Sequence, residues 1–288
     1  MPLAAFPKCF LEDMIDRRTM TNRDWVDLAR GHLDVDGVEL YWPTLRACTD
    51  AQLDGLRGHA DRAGLQLPLM CCSPDFTQLD RHAVEREVAD EIQAIRATAR
   101  LGGTATRVLS GQRRPEVSTD QGIELTVSAI ERVLPAADEY GVTVVMENHF
   151  RDYFWSLPEF AQASDIFCEI VDAIPDDAPF GVQFDPSNTY VYGEDPLALL
   201  ERVRSRVVSV AASDRRLVEH PGRSEPTLLH GIVGVGDIDH EAIFAILEED
   251  GFDGWITLED GDDPATGTSD LQASAGFVRR LMARHNLK

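Results

Sequence analysis

Disulfide chemistry is the first thing this chain is poorly equipped for. Its 288 residues hold five cysteines, Cys9, Cys48, Cys71, Cys72 and Cys168, an odd number with no CxxC spacing. They read as reduced, mostly buried thiols, which places the protein in the cytoplasm. Basic residues are also scarce, 27 Lys and Arg against 50 Asp and Glu, a formal charge of −23. Such a surface repels phosphate backbones and excludes nucleic acid as a partner. It disfavours a highly anionic substrate as well, unless a local Arg or a metal compensates. No stretch approaches the ~18 apolar residues of a membrane span, so no membrane partner is expected. Met1 to Leu11, broken by Pro2, Pro7 and Lys8, has no signal-peptide pattern. A linker rich in Pro, Gly or Ser is missing, as is any low-complexity segment, so residues 1–288 read as one domain. What remains, 43% hydrophobic and 27% charged, is the composition of an ordinary globular protein.

Short apolar runs alternate with longer amphipathic segments along the whole chain. Strands are predicted at Phe6–Leu11, Val38–Trp42, Leu65–Cys72, Ala105–Leu109, Val142–Glu147, Phe180–Asp185, Arg206–Ala211 and Gly254–Glu259. Between them come helices. One is capped by Thr21 and closes near Gly31, and others cover Thr49–Ala63, Leu79–Leu101 and Thr119–Tyr140. Gly64, Gly102 and Gly141 follow the last three, where a C-terminal cap needs a left-handed residue. Further helices are predicted over Leu157–Ile174 with Pro158 near its start, Asp195–Val203, Asp239–Gly251 and Asp270–Asn286, with a long loop from Asp214 to Gly236. Strict alternation argues for a parallel sheet. Eight such units in a chain of this length argue for a closed (β/α)8 TIM barrel. The open doubly wound alternative needs a GxGxxG turn after its first strand. None is there, and Gly234-Val-Gly236 comes too late to serve.

The stretch Val142-Thr-Val-Val-Met-Glu147-Asn148-His149-Phe150 organises the functional reading. Its apolar part suits a strand buried on both faces, and its polar end falls where barrels carry their chemistry. Glu147, Asp185 and Glu259 each end a predicted strand, so all three fall on one rim. Three converging carboxylates repel unless protons or a cation join them. Oxygen ligands suit Mg²⁺ or Mn²⁺, and an added imidazole would shift preference toward Mn²⁺, Co²⁺ or Zn²⁺. The alternative is that one or more of these acids caps a helix or pairs with an Arg.

Several segments carry a family likeness: Val-Val-Met-Glu147-Asn148-His149, Gly181-Val-Gln-Phe-Asp185-Pro-Ser-Asn188, Val-Ser-Val-Ala211-Ala-Ser-Asp214-Arg215, Gly234-Val-Gly236-Asp-Ile-Asp239 and Gly251-Phe-Asp-Gly254-Trp-Ile-Thr-Leu-Glu259. Together they resemble the sugar phosphate isomerase/epimerase superfamily, the xylose isomerase-like TIM barrels. The resemblance implies a divalent metal, Mn²⁺ foremost, on Glu147, Asp185, a His of the seventh strand and Glu259. It implies proton transfer next to the carbonyl of a sugar through an enediolate, with Glu147 and Glu259 as the acid–base pair. His149, Asn188, Asp214, Arg215 and His230 are the expected substrate-binding residues. A small carbohydrate is the expected partner, and a homo-oligomer the expected assembly.

Two positions depart from the pattern. Ala211 stands at the usual His-ligand position, and its methyl cannot bind a metal. Either the three carboxylates suffice, or His230 substitutes, or the site is impaired. Asn188 stands where many relatives have His; it keeps hydrogen bonding but not acid–base capacity. Alternative readings are a lyase cleaving 3-keto-glycosides at the same metal site, and a non-catalytic sugar-binding relative. For the first, Trp42, Phe76, Phe150, Tyr153, Phe154 and Trp155 either receive an aglycone or pack the barrel top.

Overall fold

The computed structural model describes residues 1–218, 227–260 and 263–287. From the N-terminus come β1 (Leu3–Ala5), α1 (Leu11–Ile15), α2 (Asn22–His32), β2 (Gly37–Val38), β3 (Leu40–Tyr41) and α3 (Asp50–Ala63). Next are β4 (Leu69–Cys71), α4 (Arg81–Leu101), β5 (Ala105–Val108), α5 (Thr119–Tyr140), β6 (Thr143–Glu147) and α6 (Ser164–Ala173). Then follow β7 (Phe180–Phe184), α7 (Pro186–Tyr192), α8 (Pro196–Val203), β8 (Val207–Ala212), β9 (Asp214–Val218) and β10 (Thr227–Gly231). The chain ends with α9 (His240–Glu249), β11 (Trp255–Leu258) and α10 (Gly267–Arg284).

Nine of these strands form one sheet in the order β2-β1-β11-β8-β7-β6-β5-β4-β3, every pair parallel. Its two ends, β2 and β3, flank Glu39 in the chain. They are two halves of one barrel strand, and the row closes on itself there. This is the predicted (β/α)8 TIM barrel.

Strand alternation decides what the barrel holds inside. Ala105 and Val145 belong to a small apolar cluster with Tyr41, Leu69 and Cys71. Two residues further along the same faces come Arg107 and Glu147. By the same count β7 and its exit present Gln183 and Asp185, β8 and its exit present Ser209, Ala211 and Ser213, and β11 and its exit present Thr257 and Glu259; all are buried. The intervening Val182, Phe184, Val210, Ala212, Ile256 and Leu258 join the larger core shared with the helices.

Helix starts and stops follow local chemistry. Thr21 and Thr49 each form a reciprocal capping box, with Asp24 and Gln52. Gly64, Gly102 and Gly141 end their helices in the left-handed conformation, at φ +73°, +84° and +66°.

Four expectations are corrected. The first strand is Leu3–Ala5, not Phe6–Leu11. Phe6 N still donates to Leu258 O at 2.9 Å, but Pro7 has no N–H to continue the ladder and the chain turns into a 3-10 turn, Lys8–Phe10, and α1. The helix placed over Leu157–Ile174 begins only at Ser164, because the preceding backbone is bonded elsewhere: Arg113 N donates to Pro158 O and Glu159 N to Phe150 O. A helix not anticipated, α7, follows β7 directly, with Pro186 in its first turn and Asp185 as its N-cap. Within the stretch from Asp214 to Gly236, β9 and β10 pair antiparallel, from Asp214 opposite Gly231 to Val218 opposite Thr227. Residues 219–226 of that expected loop lie outside the described residues.

Candidate metal centre and reaction cavity

Glu147, Asp185 and Glu259 meet at the C-terminal mouth, each offering a carboxylate oxygen within 4.8 Å of the others. They come from β6, the exit of β7 and the exit of β11. All three are buried, at 1%, 1% and 7% exposure. Three buried negative charges this close cannot stand alone, and the chain supplies two cations. Arg107 Nη1 donates to Glu147 Oε2 at 2.5 Å and Lys8 Nζ to Glu259 Oε1 at 2.7 Å. Arg107 is itself buried and fixed by Cys72 O at 3.1 Å and Ser73 Oγ at 3.1 Å. The formal balance of three carboxylates against two cations leaves one negative charge.

Asp185 carries the sharper signal. Its Oδ1 accepts from Ser213 Oγ at 2.5 Å, Ser187 N at 2.7 Å and Asn188 N at 3.1 Å. Its Oδ2 is buried and, among the described residues, has no hydrogen-bond partner. A buried carboxylate oxygen without a donor is costly, and the group that carries it is clustered with two more carboxylates. The donor set is all oxygen and suits a hard divalent cation. The residues present therefore fit a divalent metal.

Ionisation follows the same charges. Burial raises Glu147 well above the ordinary carboxyl range; Arg107 opposes this, while Glu259 and Asp185 reinforce it. Burial and then the Glu259 charge raise Asp185. Burial also works against Glu259, but the charge and hydrogen bond of Lys8, backed by Arg107 and His149, outweigh it and hold Glu259 at about 2. Deeper in the barrel, burial lifts Glu39 to about 7 even though Thr257 Oγ1 donates to it at 2.5 Å and Cys71 Sγ at 3.3 Å.

The predicted substrate residues divide into two places. His149 lines a cavity of about 310 Å³ with Lys8, Arg107, Tyr41 and Glu259. Burial and then the Arg107 charge push its imidazole well below the ordinary histidine value. Behind it, Nδ1 faces Glu159 Oε2 at 3.6 Å, and the other oxygen of Glu159 accepts from Ser110 N at 2.7 Å and Ser110 Oγ at 2.6 Å. Asn188 Nδ2 donates to Glu147 Oε1 at 3.1 Å, so it orients an acid of the triad. Asp214, Arg215 and His230 line a different cavity of about 450 Å³.

Asp214 is also tied to the backbone that follows β10. It accepts from the backbone N–H of Gly234 at 2.8 Å, Gly236 at 2.9 Å and Ile238 at 3.3 Å. A Cβ at Gly236 would sit 2.0 Å from Asp214 Oδ1, which is why glycine stands there. His230 Nε2 lies 3.0 Å from the backbone O of Glu259. Among the described residues it is not part of the carboxylate cluster. Ala211 is buried at 1% exposure and registers with Thr257 across the β8–β11 pair. It faces the barrel interior between Ser209 and Ser213, so no ligand atom comes from that position.

Sequence reasoning missed Arg107, Lys8, Ser213 and Glu159. Arg107 had a visible signal, a charge inside the apolar run Ala105–Leu109.

Fold and site together define a class: an eight-fold α/β barrel whose acidic centre lies at the C-terminal strand ends. The chain belongs to the xylose isomerase-like TIM barrel family, whose model matches residues 26–281. A putative hydroxypyruvate isomerase of Streptomyces coelicolor is 28% identical over 258 residues, 84% of this chain and 88% of that protein. An inosose dehydratase of Clostridium beijerinckii is 26% identical over 151 residues, 49% of this chain and 48% of its own length. This chain thus spans about half the length of the inosose dehydratases it matches. Among solved structures, a D-tagatose 3-epimerase-like protein superposes with a TM-score of 0.78 at 16% identity, over 99% of this chain and 98% of that one. The IOLI protein with a bound zinc atom superposes with a TM-score of 0.75 at 15% identity, over 99% of each chain. Among the described residues, no helix is long and apolar enough to cross a membrane.

Proposed function

We propose that this protein is a divalent-metal-dependent enzyme that isomerises or epimerises a small sugar or sugar derivative by moving a proton next to its carbonyl. The observation that carries the reading is the buried convergence of Glu147, Asp185 and Glu259 with one oxygen of Asp185 left without a donor among the described residues. Glu147, Asp185 and Glu259 would hold the ion, with Asp185 a pure ligand. The all-oxygen donor set favours Mn²⁺ or Mg²⁺ over Zn²⁺, with Mn²⁺ first. When bound, the ion supplies electrophilic polarisation of the substrate's carbonyl oxygen.

Glu147 and Glu259 stand on β6 and β11, on either side of β7 and β8 in the sheet. They flank the substrate carbon, one taking its proton and the other returning one. Lys8 and Arg107 hold the two acids in place, and His149 reaches a substrate hydroxyl from the cavity wall. Arg215 and His230 stand one cavity away and contact a substrate only if it extends past Glu259. Ala211 leaves the centre without an imidazole, so its affinity for metal rests on the three acids alone.

A second reading, dehydration or glycoside cleavage from the same enolate, is favoured by the Lys8 ammonium 2.7 Å from Glu259. It is a proton donor for a departing oxygen in the same cavity. A cytoplasmic setting is supported by the buried thiols of Cys71, Cys72 and Cys168. Self-association is supported by the exposed Leu217, Leu229 and Val235 around β9 and β10.

The test is solvent deuterium exchange into a ketose panel, followed by proton NMR with Mn²⁺ present, alongside metal analysis of the purified chain. We expect exchange at the carbon next to the carbonyl, abolished in Glu259→Gln. If neither the chain nor its Ala211→His variant retains a divalent ion, the proposal fails.

A further inference from the structure

We infer that Glu159 is a positioning residue for His149, holding it from behind the reaction cavity as a neutral carboxylic acid. Its Oε2–H donates to His149 Nδ1, and the ring therefore presents Nε2–H, a donor and not a base, to the substrate. The inference deepens the proposed function and rests on it only for which cavity holds the substrate. His149 lines that cavity, and its Nδ1 is turned away into the protein, 3.6 Å from Glu159 Oε2. Both atoms are buried and, among the described residues, neither has a hydrogen-bond partner. Two orphaned polar atoms that face each other lack only a shift of about half an ångström to bond. Hydrogen bonds of this kind tighten when a substrate fills the site. The backbone around the acid is pinned on both sides: Glu159 N donates to Phe150 O at 2.9 Å and Phe160 N to Gly111 O at 2.7 Å.

Hydrogen-bond directions around Glu159 place the proton. Ser110 Oγ accepts from Ala161 N at 3.0 Å, so its own hydrogen goes to Glu159 Oε1, 2.6 Å away. Ser110 N donates to the same oxygen at 2.7 Å. Oε1 is thus a pure acceptor with both lone pairs in use, and a proton on this acid sits on Oε2. That the acid keeps a proton follows from its surroundings. Glu147 has Arg107 and Glu259 has Lys8. Glu159 is 0% exposed and, among the described residues, pairs with no Arg or Lys. A buried acid without a cation stays neutral. Burial outweighs the Ser110 hydrogen bonds and the Arg107 charge, Asp152 reinforces it, and Glu159 is lifted to about 8. An acid kept neutral in this way is a hydrogen-bond donor. With Nδ1 accepting, a neutral imidazole carries its one hydrogen on Nε2. Such an N–H donates to a carbonyl or hydroxyl oxygen of the substrate but takes no proton from carbon, which leaves proton transfer to the carboxylates.

The test sets Glu159→Gln against Glu159→Leu in the full chain. A glutamine whose amide oxygen accepts from Ser110 turns its NH2 toward His149 Nδ1 and keeps the donor; leucine removes it. In the deuterium-exchange assay with Mn²⁺, Glu159→Leu should lose tenfold or more in turnover, and Glu159→Gln should recover most of that loss. A second readout needs no activity: ¹⁵N NMR of the histidine-labelled, EDTA-treated chain, with the His149 signals assigned by their loss in His149→Gln. The parent and Glu159→Gln should show the Nε2–H tautomer, with Nδ1 shifted from the position of a free acceptor nitrogen by the bond it accepts. That shift should vanish in Glu159→Leu. An Nδ1–H tautomer in the parent, an unchanged Nδ1 signal in Glu159→Leu, or a Glu159→Gln no more active than Glu159→Leu would overturn the inference. The predicted Nδ1 signature without exchange into any ketose would instead count against the proposed function and leave the role of Glu159 standing.

Discussion

Replacing Arg107 by Met separates charge balance from shape at the centre of this barrel. Arg107 and Glu147 are exposed by only 4% and 0% at their side chains and meet at 2.5 Å. Removing one partner of such a pair strands a buried charge, which costs about 3–5 kcal/mol. For a chain of 288 residues the entropy of unfolding is about 0.6 kcal/mol per degree, so the melting temperature should fall by about 5–8 °C. Two further measurements isolate the cause. Adding Glu147→Gln to Arg107→Met should recover much of the loss, because the stranded charge is then gone. A divalent ion should also stabilise Arg107→Met more than the parent, since the triad has lost a competing cation; saturation at a hundredfold the dissociation constant is worth about 2.7 kcal/mol. The assay is differential scanning calorimetry of the three proteins with EDTA and with Mn²⁺. Should Arg107→Met melt within a degree of the parent, or gain no more from Mn²⁺ than the parent does, the electrostatic account of this centre is wrong.

Two other outcomes follow from the same centre. Ala211→His places an imidazole on β8, between Asp185 and Glu259, and should tighten divalent metal binding by about ten- to a hundredfold, the scale on which single metal-site contacts act; calorimetric titration with Mn²⁺ and Zn²⁺ reads it, and an unchanged affinity would show that position 211 does not face the ion. Folding stability should fall as pH rises from about 4.5 through about 7. Glu39 is buried against Thr257 and Cys71, with Glu259 and Arg107 near, and titrates at about 7. Between those pH values the unfolded chain releases the proton and the folded chain keeps it, so folding loses stability there, by about 3 kcal/mol over the range. Urea midpoints between pH 5 and pH 8 should drop in the parent, and the slope should flatten in Glu39→Gln; parallel profiles would assign the pH dependence to other groups.

The barrel and its helix ends were legible in the sequence because the forces that set them are local. A Thr three residues before an acid or amide, as at Thr21 and Thr49, closes a capping box within one turn. A glycine after an amphipathic run, as at Gly64 or Gly141, provides the left-handed exit. Alternating apolar runs named the strands, and the last residue of three of them named Glu147, Asp185 and Glu259. The misplaced elements differ in cause: the backbone around Pro158 bonds to Arg113, 45 residues away, rather than to its own helix, whereas the first strand ends locally, at Pro7, for want of an N–H.

Which acid meets which cation was decided only by the closed barrel. Lys8 reaches Glu259 across 251 positions of sequence and Arg107 reaches Glu147 across 40. Nothing in the neighbourhood of either residue announces its partner. Local propensity fixes the period of a strand and hence which side chains point inward. The identity of the residue across the barrel depends on register and closure, which are properties of the whole sheet. The sequence therefore determined that carboxylates would line one rim, and the tertiary structure determined that two cations offset them incompletely and that one oxygen of Asp185 was left without a donor.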